Sequence, residues 1–354
     1  MSPQLSIIVP VLNDGLALEK FSKSLGKQTG LRFETIVVNG GVDTPESDKI
    51  RDICTRSHFL YLTSARGRGK QMNLGRRHAK TDTLLFLHAD SEFSSTRQLK
   101  DAHQALRARA KNSTKIAGHF SLHFQTVDTR LHFALRFLEK KSKLNRKNAT
   151  NGDQGLLIGT SFFDDIGGFS ESLPFLEDQI IGQTIRERGE MFTLPHPILT
   201  SARRFEEEGF VRRYYLMMII MGAYRTQTQE LFDLAPPLYI NQDEAQKLDM
   251  GPFFDTFKDL HRTLGLASSI QMWRELGAFV RENAWQAFLF GDYLFFEDKD
   301  IGPFMTFFED HVEDLDGKLI NDILAIIAYI TVTKSAPFIY RSLRQFRKLG
   351  LAGD

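Results

Sequence analysis

Leu5-Ser-Ile-Ile-Val-Pro-Val11 runs directly into Asn13-Asp14-Gly15, and the fold is read outward from that junction. A near-continuous apolar run of this length is the pattern of a strand buried on both faces. The Asn-Asp-Gly cluster stops it. Leu16–Leu25 then has helical spacing. Phe33–Val38 is a second apolar strand, ended by Asn39-Gly40-Gly41; Thr44–Thr55 reads as a helix and His58–Leu62 as a short third strand. A basic, glycine-rich turn, Ala65-Arg-Gly-Arg-Gly-Lys70, opens a helix through Ala79, and a fourth strand, Thr83–Leu87, ends at His88-Ala89-Asp90. The order βαβαβαβ predicts an α/β fold with a mainly parallel sheet flanked by helices. Ligands of such sheets bind beyond the carboxyl ends of the strands, which is where these turns fall. Further along, Gln98–Lys111, Leu131–Lys143 and Gln179–Arg188 read as helices. Ile116–Phe124, Leu156–Ser161 and Phe192–Thr200 read as extended segments.

The 354 residues hold 45 Lys and Arg against 44 Asp and Glu. A net of +1 argues against a nucleic-acid binder that works by neutralising phosphates. A single cysteine, Cys54, excludes an intrachain disulfide and a zinc site built on cysteines. The near-neutral total hides an asymmetry. Residues 1–234 carry 33 basic and 26 acidic side chains, residues 235–354 carry 12 and 18, and the last 104 residues hold 13 of the 30 phenylalanines. A boundary is therefore expected near Pro236–Pro237, with residues 235–354 a separate, mainly helical domain. There is no basic leader with a cleavage site and no apolar run of about 18 residues. Tyr214–Met221 and Ile323–Val332 are read as buried helix segments, and Trp273, Trp285 and the late phenylalanines as core. The expected location is cytoplasmic, with peripheral contact at the inner face of a membrane as the alternative. Arg341, Arg344, Arg347 and Lys348 are read as a solvated basic helix face, and Arg212-Arg213 to Met221 is a weaker candidate for meeting a lipid acceptor.

Several familiar motifs fail. Residue 64 is Ser and residue 71 is Gln, so Arg68-Gly69-Lys70 lacks both ends of a P-loop, and Gly67-Arg68-Gly69 lacks the third glycine of a dinucleotide fingerprint. Three clusters keep two readings each. Asp90, two residues after His88 on extended backbone, could hold a divalent cation with that imidazole, or could cap the next helix. Glu177-Asp178 could supply a general base, or could be the acidic first turn of a helix. Arg203-Arg204, and likewise Arg66, Arg68 and Lys70, could clamp phosphate oxygens or be solvated charges.

Taken in order, the motifs form a pattern. They are Val9-Pro-Val-Leu-Asn13, Glu34-Thr-Ile-Val-Val-Asn-Gly-Gly41, Arg66-Gly-Arg-Gly-Lys-Gln-Met-Asn-Leu-Gly75, Leu84-Leu-Phe-Leu-His-Ala-Asp90, Gly152-Asp-Gln-Gly155, Gly167-Gly-Phe169, Glu177-Asp178 and Thr200-Ser-Ala-Arg-Arg-Phe205. Over about residues 4–215 the chain resembles the family 2 glycosyltransferases of GT-A fold. It is most similar to the bacterial subfamily associated with radical-SAM and selenodomain proteins. The resemblance implies a metal-dependent transfer of a sugar from a nucleotide-diphosphate donor to a hydroxyl acceptor, with inversion. It places Pro10, Val11, Asn13, Asn39, Asp43, Arg66, Lys70, Asn73, Asp153, Arg203 and Arg204 around the donor. Asp90, with His88 beside it, would bind Mn²⁺ or Mg²⁺. Asp178 would be the catalytic base, with Glu177 beside it. Two positions depart from the family pattern: Asn39 stands where an aspartate is usual, and His88 replaces the first acid of Asp-x-Asp. His196, between Pro195 and Pro197, is read as a loop histidine before a metal ligand. A sugar nucleotidyltransferase is the alternative enzyme, although the Leu12–Gly15 loop lacks the expected Lys or Arg. A non-catalytic nucleotide-sugar sensor is the alternative outside enzymology. Residues 235–354 resemble nothing named, and neither acceptor nor oligomeric state follows from the sequence.

Overall fold

In the computed structural model the Leu5–Val11 run is strand β1, with all seven residues buried. The structure describes residues 2–41, 44–173, 175–228, 249–315 and 317–348. The chain divides into two compact units, Met1–Ala202 and Arg203–Asp354. The boundary expected near Pro236–Pro237 lies outside the described residues.

The first unit begins with β1, α1 (Gly15–Leu25), β2 (Phe33–Asn39), α2 (Pro45–Arg56), β3 (Leu60–Thr63), α3 (Arg68–His78) and β4 (Thr83–Phe86). This is the order read from the sequence, with ends shifted by one to three residues. It continues with β5 (Glu92–Phe93), α4 (Gln98–Arg109), β6 (Ile116–His119), β7 (Leu122–Gln125), α5 (His132–Ser142), β8 (Leu156–Gly159), α6 (Thr160–Asp165), α7 (Glu177–Arg188), β9 (Glu190–Thr193) and β10 (Ile198–Ser201). Seven strands form one sheet in the order β3-β2-β1-β4-β8-β6-β9, and β5-β10-β7 form a second. β1 to β4 pair in parallel, while β8 runs antiparallel to both β4 and β6. The architecture is GT-A-like, a mainly parallel central sheet between helices.

Register fixes where a site can form. Val11 stands opposite Asn39, and Asn39 opposite Thr63, so the carboxyl ends of β1, β2 and β3 are level. Beneath them Ile8, Ile36, Val38, Leu84, Phe86 and Ile158 pack with Phe162, Phe163, Ile181 and Ile185 of the covering helices. Each such side chain contributes about 1.5–3 kcal/mol by leaving water. Helix α3 lies close on β1 because Gly75 has no side chain; a Cβ there would collide with Ile8 Cγ2.

Two extended segments expected to be single strands are each two. Ile116–Phe124 breaks after His119: Phe120 N–H donates to Gln154 O, and the chain then leaves the large sheet for the small one. Phe192–Thr200 breaks at Pro195-His196-Pro197, where two prolines lack the N–H a ladder needs and His196 has φ 65°.

The second unit is helical over its described residues: α8 (Arg203–Glu208), α9 (Phe210–Arg225), α10 (Gly251–Glu282), α11 (Trp285–Phe295), α12 (Pro303–His311), α13 (Lys318–Ile330), a π turn (Thr331–Ser335) and α14 (Ala336–Lys348). Leu216, Ile219 and Ile220 of α9 are buried, as expected of Tyr214–Met221. α10 breaks at Gly265, φ 72°. Asp292, fully buried, accepts from the N–H groups of Gly302 (2.9 Å), Phe304 (2.9 Å) and Met305 (3.0 Å), and so anchors the start of α12.

Two expectations for this half are corrected. Trp273, Trp285, Phe253, Phe254, Phe279 and Phe308 are core, but Phe290, Phe295, Phe296, Phe304, Phe307 and Phe338 are exposed. The Ile323–Val332 segment is not a buried helix: Ile323, Ile326, Ile327 and Ile330 are exposed. It belongs to a helix, Lys318–Ser342, of 25 residues and mean hydropathy 1.6 over its most apolar window, long and apolar enough to cross a membrane by length and composition. A count of uninterrupted apolar residues overlooked it because Asn321, Asp322, Lys334 and the threonines break the run without lowering the mean far enough.

Candidate active site

The first unit gathers four sequence-distant segments beyond its sheet. Helix α7 opens with Glu177 and Asp178 after Leu176, which takes a left-handed conformation at φ 71°. Glu177 is 2% exposed, and Arg68 Nε lies 2.7 Å from its Oε1 as an ion pair. Burial pushes the Glu177 carboxyl up. The Arg68 guanidinium opposes that shift and the neighbouring Asp178 charge adds to it, and the net direction is upward.

Arg68 Nη1 also lies 3.5 Å from His88 Nε2. On the other side of that ring, Nδ1 is 3.0 Å from Asp153 Oδ1. A neutral His88 satisfies both contacts if Nδ1–H donates to Asp153 and Nε2 faces Arg68. Burial works to lower the His88 pKa. The Asp153 hydrogen bond and the charges of Asp153 and Asp90 outweigh it, together with the repulsion of Arg68, and raise the pKa. Asp90 follows in a tight turn closed by Ser91 N–H to His88 O, 3.2 Å.

Asp153 comes from the turn Gly152–Gln154. Gly152 N–H donates to Asp178 Oδ2, and Gln179 N–H donates to Asp178 Oδ1 at 2.8 Å. Gly152 must be glycine for lack of space: a Cβ would stand 2.6 Å from His88 Cε1 and Nε2 and 3.1 Å from Asp178 Oδ2. The turn is fixed from beneath by Gln154, which is fully buried. Its Oε1 accepts from Asn151 N–H (2.9 Å), and its Nε2 reaches Ser142 O (3.0 Å), Phe120 O (3.1 Å) and His119 Nδ1 (3.0 Å). A cavity of about 30 Å³, bordered by Phe86, His88, Gly152, Phe169, Glu177 and Asp178, lies against the carboxylates. That is room for a water molecule or two.

His88, Asp153, Glu177 and Asp178 thus stand together, and His88 lies within the field of Asp90. Other expected residues stand elsewhere. Asn39 is fully buried: its Nδ2 donates to Ser47 Oγ (3.0 Å) and Tyr61 OH (3.2 Å), and its Oδ1 accepts from Gly41 N–H (3.0 Å). It shapes the loop after β2. Asn73 donates to Phe169 O and Glu171 Oε1, each at 2.9 Å, and accepts from Phe169 N–H at 3.0 Å, so it holds the Gly167–Phe169 loop. Pro10 and Val11 end β1 within the core, and Asn13 turns the chain at φ 49°. Arg66 is exposed and Lys70 half-buried at the start of α3. Asp43 lies outside the described residues. Arg203 and Arg204 are exposed in the first turn of α8, in the second unit. His196 Nε2 pairs with Asp101 Oδ2 at 3.0 Å, as a loop histidine would.

Three contributors were missing from the expected site. Arg68 was weighed with Arg66 and Lys70, and only its contacts single it out. Gln71 Nε2 donates to Val11 O (2.9 Å) and Val38 O (2.7 Å), tying α3 to the ends of β1 and β2. Gln154 has a readable signal, since Asn151-x-x-Gln154 has the spacing of a capping box, and its Oε1 makes the return bond to Asn151 N–H.

Residues 6–163 match the family model described as Glycosyl transferase family 2. This stretch, a little under half of the chain, is similar to a family 2 glycosyltransferase domain. Against the alternatives weighed from sequence, the match favours a glycosyltransferase enzyme over both the nucleotidyltransferase and the sensor. No curated protein matches the chain. Among solved structures the chain is similar to S. aureus TarS, at 17% identity and TM-score 0.45, covering 94% of this chain and 55% of that one. It thus spans about half the length of that relative. TarS 1–349 in complex with UDP is similar at 17% identity and TM-score 0.47, over 94% and 91% of the two chains. Mannosyltransferase PcManGT from Pyrobaculum calidifontis, in complex with GDP-Man and Mn²⁺, is similar at 16% identity and TM-score 0.43, over 93% and 88%.

A divalent cation is expected of such a domain. Among the described residues no group of three or more His, Cys, Asp or Glu side chains is assembled as a metal cage. The residues present would hold a cation on one side only: Asp90 offers oxygen, and His88, oriented by its Asp153 partner, offers Nε2 once the Arg68 guanidinium 3.5 Å away turns aside.

Proposed function

We propose that the glycosyltransferase domain moves a sugar from a nucleotide-diphosphate donor to a hydroxyl acceptor with inversion, and that Asp178 is its base. The observation that carries this reading is the tethering of Asp178. Its two oxygens accept from Gly152 and Gln179 N–H groups, and an ionised carboxylate keeps further lone pairs for an acceptor hydroxyl. A base must stand within hydrogen-bond reach of the proton it removes. A carboxylate pinned at both oxygens loses little freedom on meeting the acceptor.

The ion-paired Glu177 supports this division of labour: it is committed to Arg68, leaving Asp178 as the acid at the cavity edge. Asp90 and His88 would hold Mn²⁺ or Mg²⁺, with donor phosphate oxygens completing the shell. Bound there, the cation would stabilise negative charge on the leaving diphosphate. Arg68 and the first-turn N–H groups of α3, which have no side-chain cap, are suited to the same anion. Arg66, Lys70, Arg203 and Arg204 are further donor-binding candidates by their place in the family pattern. The subfamily resemblance rests on the ordered motifs, and His88-Ala89-Asp90 in place of Asp-x-Asp is in keeping with it.

Thermal-shift screening of nucleotide-sugars with and without Mn²⁺ identifies the donor, since a ligand bound only by the native state raises the melting temperature. With that donor, Asp178→Asn lowers kcat about 10²-fold or more while donor binding persists. Turnover within a few-fold of the unsubstituted enzyme would remove Asp178 as the base.

A further inference from the structure

Helix α13, the π turn and α14 make one continuous rod from Lys318 to Lys348. One side of it is occupied by α10. Gly277 lies against the backbone of Asn321 and Ala325 so closely that a Cβ would collide. Arg274 Nε pairs with Asp322 Oδ1 at 2.7 Å, and Arg281 Nε donates to Asn321 Oδ1 at 3.0 Å. Ala325 and Ala328 are buried.

Leu319, Ile323, Ile326, Ile327 and Ile330 follow the i, i+4, i+7, i+8, i+11 spacing of a single helix face and are all exposed, Leu319 to 72% and Ile326 to 59%. Phe338 (72%) and Ile339 (55%) extend the exposed apolar surface past the π turn. Single exposed apolar residues are ordinary on a protein surface, whereas seven on one rod form a patch of the kind that marks an interaction site.

Charge identifies the partner. Residues 318–348 carry six Lys and Arg against one Asp, while the remaining 89 residues of 235–354 carry 6 basic and 17 acidic side chains. Four of those six cations, Arg341, Arg344, Arg347 and Lys348, follow Phe338 and Ile339 in the sequence, and Arg341 itself pairs with Asp255 at 2.9 Å. An exposed apolar stripe in a strongly basic helical segment is the pattern of a helix lying in a membrane interface.

We propose that this rod docks on an anionic phospholipid surface, lying along it with the α13 stripe in the acyl boundary and the net positive charge of the segment 318–348 drawing it to the headgroups. A second copy of the chain would bring the same positive charge against it; anionic lipid brings the complement. The rod lies on the bilayer rather than crossing it, because crossing would carry the Arg274–Asp322 pair into hydrocarbon, where ionised groups are costly. The inference is independent of the catalytic reading.

The test is co-sedimentation of the full chain with phosphatidylcholine vesicles, neutral or containing about one third phosphatidylglycerol. Binding is expected to the anionic vesicles and not to the neutral ones. Ile326→Gln/Ile330→Gln/Phe338→Gln is expected to abolish it with an unchanged melting temperature, because these side chains are exposed. Arg344→Gln/Arg347→Gln/Lys348→Gln should weaken it about 10²-fold, each cation near an anionic surface being worth roughly a factor of five. Phe307→Gln on α12, equally exposed but next to Glu309 and Asp310 in the sequence, should leave binding unchanged. No binding to anionic vesicles, equal binding to neutral ones, or a lipid-free dimer that the stripe substitutions dissolve would overturn the proposal.

Discussion

Protonating His119 should loosen the floor of the active site, and the cost can be worked from its surroundings. His119 is 1% exposed at the end of β6. Its Nδ1 faces Gln154 Nε2 at 3.0 Å, and its Nε2 faces Thr193 Oγ1 at 3.5 Å, a hydroxyl that donates to Lys143 O at 3.0 Å. Nδ1 also lies 3.2 Å from Phe120 O, and the neutral ring is satisfied either by donating there or by accepting from Gln154. Burial pushes the pKa down to about 4, with the Phe120 carbonyl opposing and the Arg186 charge assisting. An unfolded histidine titrates near 6.5, so between these values the unfolded chain binds the extra proton and stability rises with pH. The full difference corresponds to about 3 kcal/mol, and about 2.5 kcal/mol of it is lost on going from about pH 7.5 to about pH 4.5. Urea unfolding of the first unit, followed across that range for the unsubstituted chain and for His119→Gln, isolates this contribution, because every other group titrates in both proteins. The unsubstituted chain should lose about 2–3 kcal/mol more than the variant. Parallel pH profiles would refute the reasoning, since they would mean that the buried ring either stays charged or is not held by this network.

Two further substitutions probe the site. Gly152→Ala puts a Cβ 2.6 Å from the His88 ring, so ring and carboxylate must move apart by most of an ångström; a displacement of that size costs about 10²-fold in turnover, and a kcat within a factor of three of the unsubstituted enzyme would contradict the packing described. Arg68→Met leaves the buried Glu177 carboxylate without its cation and should destabilise by about 1–3 kcal/mol, whereas Arg68→Met combined with Glu177→Gln should recover much of that loss; simple additivity in a double-mutant cycle would show that the two groups are not coupled.

The parallel half of the sheet was legible because strands buried on both faces and stopped by Gly, Asn and Asp leave a strong local signal. Leu5–Val11 and Phe33–Asn39 needed no tertiary information. The switch from β6 to β7 was not legible. Gly118, Phe120, Leu122 and Phe124 alternate without interruption, and the break comes from Gln154, more than thirty residues away, which captures the Phe120 backbone. The rod at Lys318–Lys348 was misread for the opposite reason: its apolar periodicity was clear, but periodicity says that a face is apolar and not what covers it.

The same limit explains why the polar positions of the motifs divide as they do. His88, Asp153, Glu177 and Asp178 face one another across a cavity, and their chemistry follows from mutual distances. Asn39, Gln71, Asn73 and Gln154 instead carry primary amides, and each spends both its donor and its acceptor, or two donated bonds, on backbone and neighbouring hydroxyls. A buried amide left half-satisfied is costly, so these four are framework. They clamp the loops after β1 and β2, the turn before β8 and the Phe169 loop in register, and the charged groups are mounted on that frame. The asparagine at position 39 is consistent with this division. The amide donates to Ser47 and Tyr61 while accepting from Gly41 N–H, whereas a carboxylate would need both hydroxyls turned round to donate and would carry a buried charge. The asparagine therefore has a role in how this loop is held.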